Sequence, residues 1–103
     1  MADILLLYVT FGSQSSAEDM VENMIMEKLI ACGNIHNSNS MYFWDSQLVK
    51  EAETVAIMKT LPSRELACRE YIIEHHTYDL PCVLSLKTRS STEYKDWVKS
   101  LVG

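Results

Sequence analysis

The sequence is poor in residues that interrupt a fold. Its 103 residues include three glycines and two prolines, and no long Gly-, Ser- or Pro-rich stretch occurs, which excludes a flexible linker or a low-complexity tract. Three cysteines, Cys32, Cys68 and Cys82, make an odd set without a CxxC spacing. That is no disulfide framework, and it suits a reducing compartment. Lys and Arg number nine against fourteen Asp and Glu, for a net charge of −5, and the basic residues stand singly. A nucleic-acid interface, which needs clustered cations to neutralise phosphates, is not expected. The apolar run Ile4–Phe11 is far shorter than the roughly 20 residues of a membrane span. Met1-Ala2-Asp3 lacks the basic start and cleavage pattern of a secretory leader, so a cytoplasmic location is expected. No Gly-rich phosphate loop, Gly-x-Ser-x-Gly elbow or His-Glu-x-x-His is present, and an enzyme is not expected.

What is there reads as a globular chain. Hydrophobic residues make up 48% and charged residues 22%, a balance that predicts one domain over residues 1–103, long enough to bury its own core. Ile4–Phe11 runs without alternation, as a strand buried on both faces would. Ser15 with Glu18 forms a capping-box pattern ahead of Met20, Val21, Met24, Ile25 and Leu29 at helical spacing, which predicts a helix over 16–31 closed by Gly33 in a left-handed conformation. Residues 34–60 carry β-rich runs that predict two strands turning near Asp45-Ser46-Gln47, with a bulge or kink at Ser38-Asn39-Ser40. Pro62 and Ser63 open a second helix that ends at His75 or His76. Residues 82–88 read as a fourth strand, and Ser91 caps a short helix carrying Tyr94, Trp97, Val98 and Leu101.

The order β-α-β-β-α-β-α predicts an α+β fold: a ferredoxin-like βαββαβ sandwich with an additional C-terminal helix. Two main helices cover one face of such a sheet. The apolar surface left on the other predicts self-association through faces or edges.

Five stretches carry a resemblance. They are Lys28-Leu29-Ile30-Ala31-Cys32, Tyr42-Phe43-Trp44, Lys59-Thr60, His76-Thr77-Tyr78-Asp79-Leu80-Pro81 and Tyr94-Lys95-Asp96-Trp97. In this order and spacing the chain resembles the CutA divalent-cation tolerance family over essentially its whole length. The resemblance implies a PII-like homotrimer, a role in divalent-metal tolerance without catalysis, and weak binding of copper or another divalent cation. It also marks departures. Thr77 stands for the usual proline, Asp79 for a glutamate and Ser46 for a turn glycine, while Val9 stands where copper-binding members carry a cysteine.

The metal candidates are His75, His76 and Cys32. Imidazole and thiolate suit copper and zinc, but adjacent helical residues point about 100° apart, so both histidines reach one ion only where the helix has ended. The alternative leaves one histidine exposed and packs the other. In an extended segment Cys32, Asn34 and His36 share a side; otherwise Cys32 is a buried structural thiol. Tyr42, Trp44, Lys59, Tyr78 and Trp97 could line a cleft between subunits for a small ligand, as in PII-type signalling trimers that take anions, with Lys59 as the cationic group. Their plain alternative is subunit packing, with Lys59 solvated or paired with Asp79 or Glu51.

Overall fold

The computed structural model describes residues 1–103. Its elements are β1 (Ala2–Phe11), α1 (Gln14–Met26), β2 (Cys32–Trp44), β3 (Gln47–Thr60), a 3-10 turn (Pro62–Arg64), α2 (Glu65–His75), β4 (Val83–Ser90) and α3 (Thr92–Val102). The strands form one sheet in the order β2-β3-β1-β4, every pair antiparallel. This is the predicted ferredoxin-like arrangement with its extra helix.

The ends of α1 differ from the sequence reading. Ser13, not Ser15, is the cap: its backbone is extended, and its Oγ accepts the Ser16 N–H at 3.2 Å. Glu18 instead accepts from the Gln14 side chain at 3.1 Å. The helix stops a turn before Ala31 because Lys28 adopts φ 60°. There the Lys28 N–H reaches the Ile25 carbonyl at 3.0 Å and the Leu29 N–H the Met24 carbonyl at 2.9 Å, the two bonds of a Schellman ending. Stopping early lets Ile30 and Ala31 turn inward, both buried, and hands the Ala31 N–H to the Lys59 carbonyl at 2.8 Å. Gly33 therefore closes no helix. It lies in β2 opposite Met58, where a Cβ would stand 2.9 Å from Val21 Cγ1, so its missing side chain lets α1 seat on the strand.

The β2–β3 ladder runs in unbroken register from Cys32↔Lys59 to Trp44↔Gln47, with no bulge at Ser38–Ser40. Asp45 and Ser46 close it at φ 53° and 62°, two left-handed residues whose twist matches that of the strands they join. The hairpin extends well beyond β1, whose pairing with β3 stops at Phe11↔Thr54, and the molecule measures 46 × 25 × 21 Å. Pro62 sits in the 3-10 turn as expected, but Ser63 caps nothing.

Helices α1 and α2 cover one face. There Leu5, Leu7, Val9 and Phe11 meet Ala56, Met58, Met20, Val21, Met24, Cys68 and Ile72. Burial pushes the Cys68 thiol up to about 11, against a lowering influence from Arg64. Helix α3 crosses one end of the other face, with Ala31, Leu61, Val98 and Val102 as a second small core. The rest of that face stays open. Tyr8 is 37% exposed, Leu84 56% and Leu86 60%, and the register sets them side by side as Tyr8↔Leu84 and Leu6↔Leu86. Within one chain β1 is thus buried on one face only along much of its length, a correction to the reading of Ile4–Phe11 as doubly buried.

Candidate functional site: an acidic aromatic cleft

Period-2 alternation on the long hairpin puts Tyr42, Trp44, Glu51 and Glu53 on one side of the ladder. The segment after α2 supplies the opposite wall. It is anchored by His76, where the helix ends and the backbone turns extended. The Tyr78 N–H reaches His76 Nδ1 at 3.0 Å, and Nε2 lies 2.8 Å from the Thr10 carbonyl. A backbone N–H can only donate, so Nδ1 is the acceptor and Nε2 carries the proton it gives to Thr10. The ring also stacks on Phe11 at 4.8 Å. Both nitrogens are committed, and His76 works as a clamp between loop and strand.

Beyond the clamp, the Tyr78 hydroxyl donates to Glu53 Oε2 at 2.9 Å, and the Tyr42 hydroxyl donates to Glu51 Oε1 at 2.6 Å. The Tyr78 hydroxyl is pushed up to about 12 by burial and by its bond to Glu53. Tyr42 is raised chiefly by its bond to Glu51. Between these walls lies a cleft of about 680 Å³, lined by Thr10, Gly12, Tyr42, Trp44, Glu51, Glu53, Tyr78, Asp79, Leu80 and Cys82. The lining includes no Lys, Arg or His. Three carboxylates without a counter-cation make it inhospitable to an anion.

The structure brings together Tyr42, Trp44 and Tyr78 from the predicted small-ligand set and leaves Lys59 and Trp97 apart. Lys59 pairs across the sheet with Cys32 and with Leu6, four residues along β1 from Thr10, roughly 13 Å at strand rise. Neither Asp79 nor Glu51 pairs with it: the salt bridge within the chain joins Arg89 to Asp3 at 3.8 Å. Trp97 stands on α3 beside Tyr94, ring centroids 5.6 Å apart.

The predicted metal ligands are separated as well. Cys32 opens β2 rather than ending α1, and its Sγ lies 3.4 Å from the Tyr94 hydroxyl, which burial and this thiol push up to about 12. His75 is exposed and stacked on Tyr71 at 4.1 Å, its Nδ1 2.9 Å from the Tyr71 carbonyl. Only its Nε2 stays free. No three His, Cys, Asp or Glu side chains of one chain converge on a point, so these residues do not build a three-donor cage. Val9 is fully buried in the helix-covered core.

Sequence reasoning did not pick out Glu51 and Glu53 as partners of the cleft's tyrosines. The signal was present: both alternate in step on β3, and a 45–46 turn places them opposite Ser40 and Ser38, on the side shared with Tyr42 and Trp44.

A profile of the family described as CutA1 divalent ion tolerance protein matches residues 5–101. The chain belongs to the CutA1 family. It is 31% identical over 99 residues to the divalent-cation tolerance protein CutA of Pyrococcus horikoshii, covering 96% of this chain and 95% of that one. It superposes on rice CutA1 with a TM-score of 0.93 at 30% identity, over 99% and 95% of the two chains. A further solved relative, described as a periplasmic divalent cation tolerance protein CutA from Archaeoglobus fulgidus, gives a TM-score of 0.94 at 27% identity over 97% and 99%. No helix of this CutA1 member is long and apolar enough to cross a membrane.

Proposed function

We propose that this chain acts in divalent-cation tolerance as a one-domain, non-enzymatic homotrimer of the cytoplasm. The observation that carries the reading is the family match over residues 5–101, supported by superposition on CutA1 structures along the whole chain. The exposed Tyr8, Leu84 and Leu86 support association, since one copy leaves apolar sheet surface in water. Copper or another divalent cation would engage the chain weakly. His75 Nε2 is the free imidazole nitrogen of the predicted set, and one imidazole falls short of the three or four donors of a tight site.

Two measurements test this. Cells lacking the gene should grow more poorly at elevated copper or zinc and recover with the gene restored; unchanged growth across divalent metals removes the tolerance role. Titration of the metal-free protein with copper should give dissociation constants of about 0.1 mM or weaker, lost in His75→Ala. Binding that ignores His75 removes the assignment of the ligand while leaving the tolerance role to the growth assay.

A further inference from the structure

The open face of the sheet carries its charges at opposite ends. Period-2 alternation puts Glu51, Glu53, Ile57 and Lys59 of β3 on that side, with Tyr8 and Leu6 of β1 opposite Ile57 and Lys59, and Leu84 and Leu86 of β4 beyond them. Lys59 is the one Lys or Arg that the strands place on this face. Between it and the carboxylates runs the apolar strip of Tyr8, Leu84 and Leu86. Glu53 and Lys59 are six residues apart on one strand, roughly 20 Å at strand rise, so they cannot meet within a chain. The ion pair that the chain does form joins Arg89 to Asp3, and it leaves Lys59 without a carboxylate and the cleft without a cation.

A second copy of the chain supplies what each end lacks. Covering the apolar strip requires another apolar surface, and the exposed Leu84 and Leu86 of a sibling are such a surface. Two copies laid on each other with like ends together would set carboxylates against carboxylates, which is unfavourable. Docked head to tail, the lysine end of one copy meets the acidic end of the next. The cleft fits a lysine side chain: an ammonium has three N–H donors, Glu51 and Glu53 each keep an oxygen that no tyrosine occupies, and Asp79 adds a third carboxylate. Trp44 and Tyr78 supply aromatic walls for the alkyl stem and the charge. Such a contact joins two different patches, so it closes only as a ring.

We propose that in the homotrimer Lys59 of each copy docks into the acidic aromatic cleft of the next, so that every cleft gains its counter-cation only on assembly. The proposal rests on the homotrimer reading and adds to it the direction of the contact and the residues that meet. It also brings Lys59 back to Tyr42, Trp44 and Tyr78, from which one chain holds it apart.

Carbodiimide treatment of the intact protein, which joins an amine to a carboxylate in direct contact, tests this. Mass spectrometry of the cross-linked product should find Lys59 joined to Glu51, Glu53 or Asp79, and the distance within a chain makes each such link one between copies. Lys59→Arg keeps the charge without the reactive amine; it should assemble as the parent does and lose the link. In sedimentation across a dilution series, in urea below the unfolding transition, Lys59→Gln and Glu53→Gln should each raise the dissociation constant of the assembly by about tenfold or more. The two together should cost less than the sum of the separate effects, because each removes half of one contact. Circular dichroism checks that the variants keep their fold, and Arg69→Gln, on the helix layer, should leave assembly unchanged. A trimer in which Lys59 joins only other carboxylates, or in which Lys59→Gln costs no more than Arg69→Gln, overturns the docking and leaves the homotrimer standing. A parent that sediments as a single chain overturns both.

Discussion

Tyr78 ties together three features that are distant in sequence: the N–H that fixes the His76 tautomer, the ring that walls the cleft, and the hydroxyl that holds Glu53. Its raised pKa has a consequence for alkaline stability. A phenol that ionises near 10 in the unfolded chain and near 12 when folded keeps its proton longer in the folded state. The stabilisation is complete below about pH 10 and is lost as pH rises through about 12. Cys68 and Tyr94, also raised, act in the same direction, so the informative quantity is a difference between proteins. Tyr78→Phe, which cannot ionise, should show a shallower loss of unfolding free energy between pH 9.5 and about 12 than the parent in denaturant titrations. Equal slopes would mean that Tyr78 titrates alike in both states.

At the scale of elements, the long hairpin sets the shape of the molecule and carries half of the cleft. Its thirteen-pair ladder needs a tight turn at Asp45-Ser46, yet both residues hold left-handed conformations, which favour Asn or Gly and cost a residue such as serine about 1 kcal/mol. Ser46→Gly is therefore expected to stabilise the protein by about 0.5–1 kcal/mol, seen as a rise of a few degrees in the thermal midpoint. A fall would show that the turn is held by something other than its own backbone preference. The same backbone physics explains why α1 ends early. Lys28 takes the left-handed position that the sequence assigned to Gly33, because stopping there puts Leu29 and Ile30 against the core, while Gly33 is needed for its lack of a Cβ beside Val21.

For the whole molecule, the open face is the feature with the widest consequence. Leu84 and Leu86 on β4 lie beside Tyr8 and Leu6, forming an apolar strip that one copy cannot cover. Replacing Leu84 and Leu86 together by lysine should leave each subunit's helix-covered core intact, since both side chains point away from it. It should disrupt assembly through this face. In sedimentation equilibrium the parent is expected to behave as a trimer and the double variant to shift toward the mass of a single 11.8 kDa chain. A variant that assembles as the parent does would place the subunit contacts elsewhere.

Local pattern was enough to order the elements. Runs of β-branched and aromatic residues, helical spacing in α1 and the serine before α3 each act over a few residues, so strand and helix order and the C-terminal helix cap at Ser91 were legible before folding was considered. The site was legible only in part. Tyr42, Trp44 and Tyr78 stand out as aromatics with polar tips, but their partners could not be chosen without the ladder register that sets Glu51 and Glu53 beside them. His76 read as a metal ligand or as a packed residue until the Thr10 carbonyl and the Tyr78 N–H were seen to occupy its two nitrogens. The sequence by itself determined which segments become strand or helix, because that depends on neighbours along the chain. The tertiary structure alone decided which acid meets which phenol, that Lys59, Trp97 and Cys32 lie at the other end of the sheet, and which face is left open. Those outcomes depend on contacts between residues tens of positions apart, whose pairing is set by the register of the whole sheet.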